Sequence, residues 1–345
     1  MKSTFIILLY FIACFNSMAQ PQSKKDAYHQ QQSVICGGMD SIFGRKGAWK
    51  KTEDDLAFPD KTFPRAHYKL VNARVDSIYA ILKEAITDLS GFEPRWQRGL
   101  RGQSDIPDGP VPYEFSTRFF EYYCNTNYKK IILGDETNTT VQIFINRLSW
   151  FLYQADTLDI NGDGKIRTIY QLPPKDEQIQ GLTVYKLRRT PSSDSRGIII
   201  GRHGKMPWRS ITQKQYLTGL KSQYEKQLTR FKKNSGYNTD YTNRLKHIED
   251  YLAGTDEQTL QQTAIIDPKS GIWGFKGKFG DEKEGGFRLV LWAGGDAYFD
   301  KNLPRYVPQL IEVYWSYGNY QVSQHVKNQF EKNFPFDKLK AMIDK

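Results

Sequence analysis

Apolar residues spaced at three and four positions predict the first strong element, a helix from about His67 to Leu89. Val71, Val75, Ile78, Leu82, Ala85 and Leu89 share one face, and Ser90-Gly91 is a natural stop. Alternation then takes over. Tyr113–Cys124 carries Tyr113, Phe115, Thr117, Phe119 and Tyr123 on one side. Tyr128–Leu133, Thr139–Leu148, Thr157–Ile160, Lys165–Leu172 and Leu182–Leu187 follow as further strands. Asn161-Gly162-Asp163-Gly164 reads as a hairpin turn. Between helix and strands, Phe92–Val111 is broken by glycine and proline and reads as a long loop, a place where function often sits.

The period returns to helical after the apolar strand Gly197–Gly201. Thr212 with Gln215 forms a capping box, and Tyr216, Leu217, Leu220, Tyr224, Leu228 and Phe231 line one face. After Asn234-Ser235-Gly236, the residues Tyr241, Leu245, Ile248 and Leu252 line a second. An antiparallel helical hairpin over 212–253 follows from this. Thr263–Ile266, Phe287–Trp292 and Gln309–Trp315 read as strands, and Val322–Phe334 and Phe336–Ile343 as closing helices. The expected fold is α+β in two halves, each an antiparallel sheet with packed helices: 33–187 and 197–345, joined by a polar linker at 188–196.

The N-terminus changes the setting. Residues 1–19 have a basic start, an apolar run from Phe5 to Phe15, and Ser17-Met18-Ala19 as a cleavage site, the pattern of an export signal. Cys14 offers a lipoprotein alternative that Ala19 outranks, because Phe11 suits the −3 position poorly. Residues 20–32 form a polar arm, and no later stretch is apolar enough to span a membrane. The predicted location is periplasmic or extracellular. In that compartment Cys36 and Cys124 are candidates for a disulfide. The chain has 49 Lys and Arg against 38 Asp and Glu, a net +11 that becomes +10 without Lys2. The excess is dispersed, which favours an anionic polymer or a glycan of the envelope; with no recognition motif, nucleic acid is not expected.

Candidate chemistry is sparse. His-Glu-x-x-His, Gly-x-Ser-x-Gly, phosphate-cradling glycine loops and Cys-x-x-Cys are all missing, so neither enzyme nor cofactor is expected. Arg95, Trp96, Arg98 and Arg101 in the long loop are the leading binding candidates, since guanidinium groups beside an indole suit carboxylate, sulfate or sugar contacts; Trp208 joins them. Asp159, Asn161 and Asp163 match the front of a calcium loop, but position 12 is Tyr170 in place of glutamate. Arg202-His203-Gly204 resembles the signature of the histidine phosphatases, which would make His203 a nucleophile and Arg202 a phosphate clamp. The simpler account is a hairpin turn with His203 and Gly204 at positive φ. Gly204-Lys205-x-Pro207-Trp208-x-x-Ile211-Thr212-x-Lys214-Gln215-Tyr216-Leu217, with Leu303-Pro304-Arg305 and Pro308-Gln309-Leu310, is similar to segments of exported bacterial proteins of uncharacterised function; the resemblance implies export and a two-part architecture, and no activity. The expected role is therefore non-catalytic binding or structural service in the envelope. A secreted hydrolase of phosphate esters or glycosides is the alternative.

Overall fold

The computed structural model describes residues 33–56, 63–100, 109–187, 193–231, 235–267, 275–292 and 298–345. The export signal, Cys14, the polar arm, Arg101 and linker residues 188–192 lie outside them. The chain is α+β, and its regular elements pack as four layers.

Helix α1 (Gly38–Phe43) and the two-residue strands β1 (Lys50–Lys51) and β2 (Asp55–Leu56) precede the long helix α2 (Arg65–Ala85). Strands β3 (Phe92–Leu100), β4 (Tyr113–Asn125), β5 (Lys130–Leu133), β6 (Thr140–Ile145), β7 (Tyr153–Leu158), β8 (Arg167–Leu172), β9 (Lys175–Ile179), β10 (Leu182–Lys186), β11 (Ser193–Gly201) and β12 (Trp208–Ser210) follow. The helical hairpin is α3 (Gln213–Arg230) and α4 (Ser235–Gly254), with α5 (Glu257–Leu260) behind it. Then come β13 (Ile265–Ile266), β14 (Phe287–Trp292), β15 (Leu310–Gly318), α6 (Gln321–Asn333) and α7 (Phe336–Lys340).

A ten-stranded sheet runs β1-β3-β4-β6-β15-β11-β10-β9, with β2 beside β3 and β5 beside β4. A five-stranded sheet runs β12-β14-β8-β7, with β13 also on β14. Most pairings are antiparallel; β1 and β2 meet β3 in parallel. The period of two in each strand sorts side chains into layers. In β15, Ile311, Val313, Trp315 and Tyr317 enter the core shared with α2 and α6, whereas Leu310 and Tyr314 face the small sheet. In β14, Val290 faces back toward the large sheet, while Leu289 and Leu291 pack with Tyr216, Leu220 and Ile248 of the helical hairpin. The order is helices, large sheet, small sheet, helical hairpin. Gly197 in β11 permits the two sheets to approach, since a Cβ there would stand 2.8 Å from Phe151 and 2.9 Å from Leu187.

Chain order and layers do not coincide. β7 and β8 belong to the small sheet although they precede the expected linker, and β11 and β15 enter the large sheet from beyond it. Ser193–Arg196, read as linker, already form β11 and pair with β15. A second difference concerns Phe92–Val111: its first nine residues are strand β3, paired along its whole length with β4. Phe92, Trp96 and Leu100, four residues apart, are buried on one face of the strand, so a strand-compatible apolar spacing was present beneath the glycine and proline punctuation.

Thr212 caps α3 with a complete capping box: its hydroxyl accepts from the Gln215 amide at 3.1 Å, and the Gln215 side chain accepts from the Thr212 amide at 3.1 Å. Cys36 and Cys124 form a disulfide with a Cα–Cα distance of 5.8 Å, tying the start of the chain to the end of β4. It closes a sequence separation of 88, so chain entropy assigns it about 4–5 kcal/mol. Cys36→Ser with Cys124→Ser is expected to lower unfolding free energy by several kcal/mol in urea titrations. An unchanged midpoint under reducing and oxidising conditions would show that the bridge adds nothing.

Candidate functional site

The candidates read from sequence are separate in space, and most are engaged in holding the fold. Trp96 is 7% exposed and stacks on Tyr79 of α2, ring centroids 4.2 Å apart and 14° from parallel. Arg98 clamps Asp76 of α2 (Nε–Oδ1 2.9 Å, Nη2–Oδ2 2.6 Å) and reaches Asp54 at 3.4 Å. Arg95 pairs with Glu93 at 2.9 Å and lies 4.5 Å from the Phe120 ring centroid. These side chains bolt β3 to its neighbours rather than forming one exposed surface. Trp208 is half-buried between the sheets and stacks on Phe151 at 6.1 Å.

Asp159 and Asp163 turn inward on their own loop. Asp159 accepts from the amides of Asp163 and Gly164 at 3.2 and 2.8 Å, and Asp163 accepts from Lys165 N at 3.0 Å. Arg167 grips Asp163 through both guanidinium ends, at 2.8 and 2.5 Å, and holds its carboxyl far below the usual range. A guanidinium thus occupies the place a cation would take. Asn161 Oδ1 accepts from Gln215 Nε2 at 3.4 Å. Among the described residues no group of three His, Cys, Asp or Glu is arranged to hold a metal ion.

At Arg202–Gly204 the chain makes a short 3-10 turn, with His203 at φ 51° and Gly204 at φ 72°. The positive angles match the turn reading, but the flanking strands do not pair: β11 lies in the large sheet and β12 in the small one. Arg202 Nε sits 2.7 Å from Asp344 Oδ1, an ion pair whose approach is off the N–H direction, and His203 is 72% exposed on its side chain. His325 belongs to the other end of the sheet. Gly201 pairs with Leu310, whereas His325 follows Gly318 into α6, so the two lie about a nine-residue strand apart, roughly 27 Å. His325 does have an acidic partner, Asp88 at 3.1 Å, brought from distant sequence. His247 lies in α4, in the outermost layer.

A site that the sequence reading missed lies where β4 leaves β6 after Arg118 and takes β5 as its partner from Tyr122. A cleft of about 360 Å3 opens there, walled by loop 134–139 and by 318–322. Glu121 stands at its floor. Its residue keeps some exposure along the cleft, but the carboxyl itself is ringed by protein, and that desolvation raises it to about 7 against the hydrogen bonds that favour the charge. Thr139 Oγ1 donates to Glu121 Oε1 at 2.7 Å; the Thr139 and Ser323 hydroxyls are 2.5 Å apart; Gly318 N donates to Ser323 Oγ at 2.6 Å. This chain links both walls to the carboxyl. The wall is set further by Thr137 Oγ1 donating to Phe119 O at 2.7 Å and Ser316 Oγ to Asn138 O at 2.6 Å. Tyr123 and Tyr320, 40% and 36% exposed, flank the mouth. The lining holds Glu121, Asp135 and Glu136 but no Lys, Arg or His.

A wider hollow of about 770 Å3 along α4 is more open, and its Arg244 is already paired with Asp240 at 2.8 Å. The Glu121 cleft is the better built site because polar groups converge on it. Comparison with family models, curated proteins and solved structures returns no match to this chain.

Trp96→Ala is expected to destabilise the protein by about 3–5 kcal/mol, as loss of a packed aromatic does, measured by urea unfolding. A neutral result would show that the indole is not part of the core. Glu312, fully buried in β15, accepts from the amides of Ser149 and Trp150 (2.9 Å to the latter), yet burial raises it, like Glu121, to about 7. A raised carboxyl keeps its proton in the native state after the unfolded chain has released it. Stability therefore falls as pH rises from about 4.5 to 7, by an order of 1–3 kcal/mol per group. Urea midpoints at pH 5 and 8 should differ in that sense, and Glu121→Gln or Glu312→Gln should narrow the gap. A midpoint that rises with pH in the wild type would contradict the assignment.

Proposed function

We propose that this chain is an exported, non-catalytic binding protein of the bacterial envelope whose partner is a glycan seated in the Glu121 cleft. The observation that carries the reading is the cleft itself. Its walls are fixed by the Thr139–Ser323–Gly318 hydrogen-bond chain, so a ligand meets a preformed site with little ordering cost. Tyr123 and Tyr320 offer apolar ring faces with polar tips, and the Asn319 side chain supplies an amide that suits sugar hydroxyls. The carboxylates argue against the anionic polymer that composition alone left open. For export, the N-terminal signal pattern is supported by the Cys36–Cys124 disulfide, a bond of oxidising compartments. No helix among the described residues is long and apolar enough to cross a membrane.

One observation favours a second reading. A carboxyl held near 7 inside a cleft has the character of a general acid, and glycoside hydrolysis would pair it with another carboxylate. Retention on isolated envelope fractions, with release by soluble oligosaccharides, tests the binding reading. Wild type is expected to be retained and released. Tyr123→Ala with Tyr320→Ala, folded by circular dichroism, is expected to lose roughly tenfold or more in affinity, about 1.4 kcal/mol. Equal retention of the two proteins would sink the cleft assignment. New reducing ends from a glycan panel, lost in Glu121→Gln, would replace binding by hydrolysis.

A further inference from the structure

We infer that the cleft takes up its glycan together with a proton, which Glu121 holds, so that the ligand binds more tightly in mildly acidic than in alkaline medium. The inference rests on the glycan reading above and adds what governs the same site.

The first ground is where the carboxyl lies. Glu121 stands on the cleft floor, and the residue keeps part of its surface open along the cavity. Water that enters through that opening is the solvent left to the charged form. A ligand seated between Tyr123 and Tyr320 closes the opening, and loss of solvent favours the neutral carboxyl.

The second ground is what surrounds it. Across the strand pair the neighbour is Phe92; α1 brings Met39 and Ile42, and α6 brings Ser323. The Thr139 hydroxyl donates to the carboxyl. Having spent its hydrogen there, Thr139 takes one from Ser323, which in turn accepts from Gly318 N. All of these groups are neutral. The charged groups of the lining are Asp135 and Glu136, with no lysine, arginine or histidine among the described residues there. Asp40 of α1 and Lys130 of β5 lie outside the lining, as do His325 and Lys327 of α6, which pair with Asp88 and Glu331, each at 3.1 Å. No cation of the lining therefore replaces the excluded water. Drying the cleft also strengthens repulsion from Asp135 and Glu136, an effect of the same sign.

The pH window follows. Burial already raises Glu121 to about 7 in the free protein, so the carboxyl is about half ionised at neutral pH. A ligand that raises it further binds at full strength below that point and loses affinity as pH climbs through it.

The test is titration calorimetry of the full protein with the N-acetylglucosamine hexamer, a probe without ionisable groups, between pH 6 and 8. At pH 7 the binding enthalpy is compared in phosphate and in Tris, whose different ionisation enthalpies count the protons exchanged. Wild type is expected to take up about half a proton at pH 7 and to bind roughly tenfold more weakly at pH 8 than at pH 6. Glu121→Gln, neutral and of the same shape, should bind with no uptake and at one affinity throughout, its thermal midpoint checking the fold. His325→Gln should keep the uptake. Uptake that survives in Glu121→Gln, or disappears in His325→Gln, puts the proton elsewhere and overturns the inference. Wild-type binding with no proton exchanged, or with a proton released, overturns it too and leaves the glycan reading standing. No binding of the hexamer at any pH overturns both.

Discussion

The placement of β15 between β6 and β11 is the constraint on which the architecture depends. Nine residues of β15 pair with β11 and six with β6, which joins strands from opposite ends of the chain into one sheet. A one-residue slip would turn Ile311, Val313, Trp315 and Tyr317 away from the helical core and drive Glu312 into it, so burial on both faces fixes the register. The contacts are non-local: Ile145 meets Ile311, and Ser193 meets Gly318. The loop-closure entropy must be met before those contacts form, a topology associated with slow folding. Once β15 is in place, α6 and α7 follow it immediately and close the core over Trp315.

The cleft is a consequence of the same insertion. β15 ends at Gly318, and the turn that leads into α6 supplies one wall; β4 supplies the floor by outrunning its partner β6. Ser323, the third residue of α6, is fully buried and brings its hydroxyl to Thr139, so the position of the helix sets the position of Glu121's hydrogen-bond partner. On the far side, the disulfide holds Cys36 to Cys124 and keeps α1, with Met39 and Ile42, against the cleft. The cleft is built on element ends anchored by covalent and core contacts, which would limit what a ligand has to reorganise.

Local signals were legible in the sequence, whereas partners in space were not. The capping box at Thr212, the two helices of the hairpin, the alternation of Tyr113–Cys124 and the bounds of Phe287–Trp292 all lie within one segment each, and all reappear in the structure. No local signal states that β8 pairs with β14 or β15 with β6, and so the interleaving of the two sheets was invisible. β3 was obscured for a different reason. Gly91, Pro94 and Gly99 read as loop punctuation, but the buried set Phe92, Trp96 and Leu100 keeps the strand period through them. The cleft did leave a trace. Glu121 falls between Phe119 and Tyr123 on the face of β4 that also carries Tyr113 and Phe115, and Glu312 falls between Leu310 and Tyr314 on the face of β15 that meets the small sheet. A carboxylate inside an apolar alternation has to be desolvated or served by special partners, and both residues are.

Composition pointed toward anionic partners because it counts charges without asking which are already spent. Arg98 is committed to Asp76 and Asp54, Arg167 to Asp163, Arg202 to Asp344, and Arg196 bridges Asp176, Glu177 and Glu331. Those guanidinium groups hold strands to helices and turns to termini, and their charge is largely neutralised where it stands. A net excess therefore says little about recognition in this molecule. Local polarity is a separate matter from that total, and in the cleft it is acidic. The cleft lining carries Glu121, Asp135 and Glu136 and no cationic side chain, so its local charge runs opposite to that of the chain as a whole.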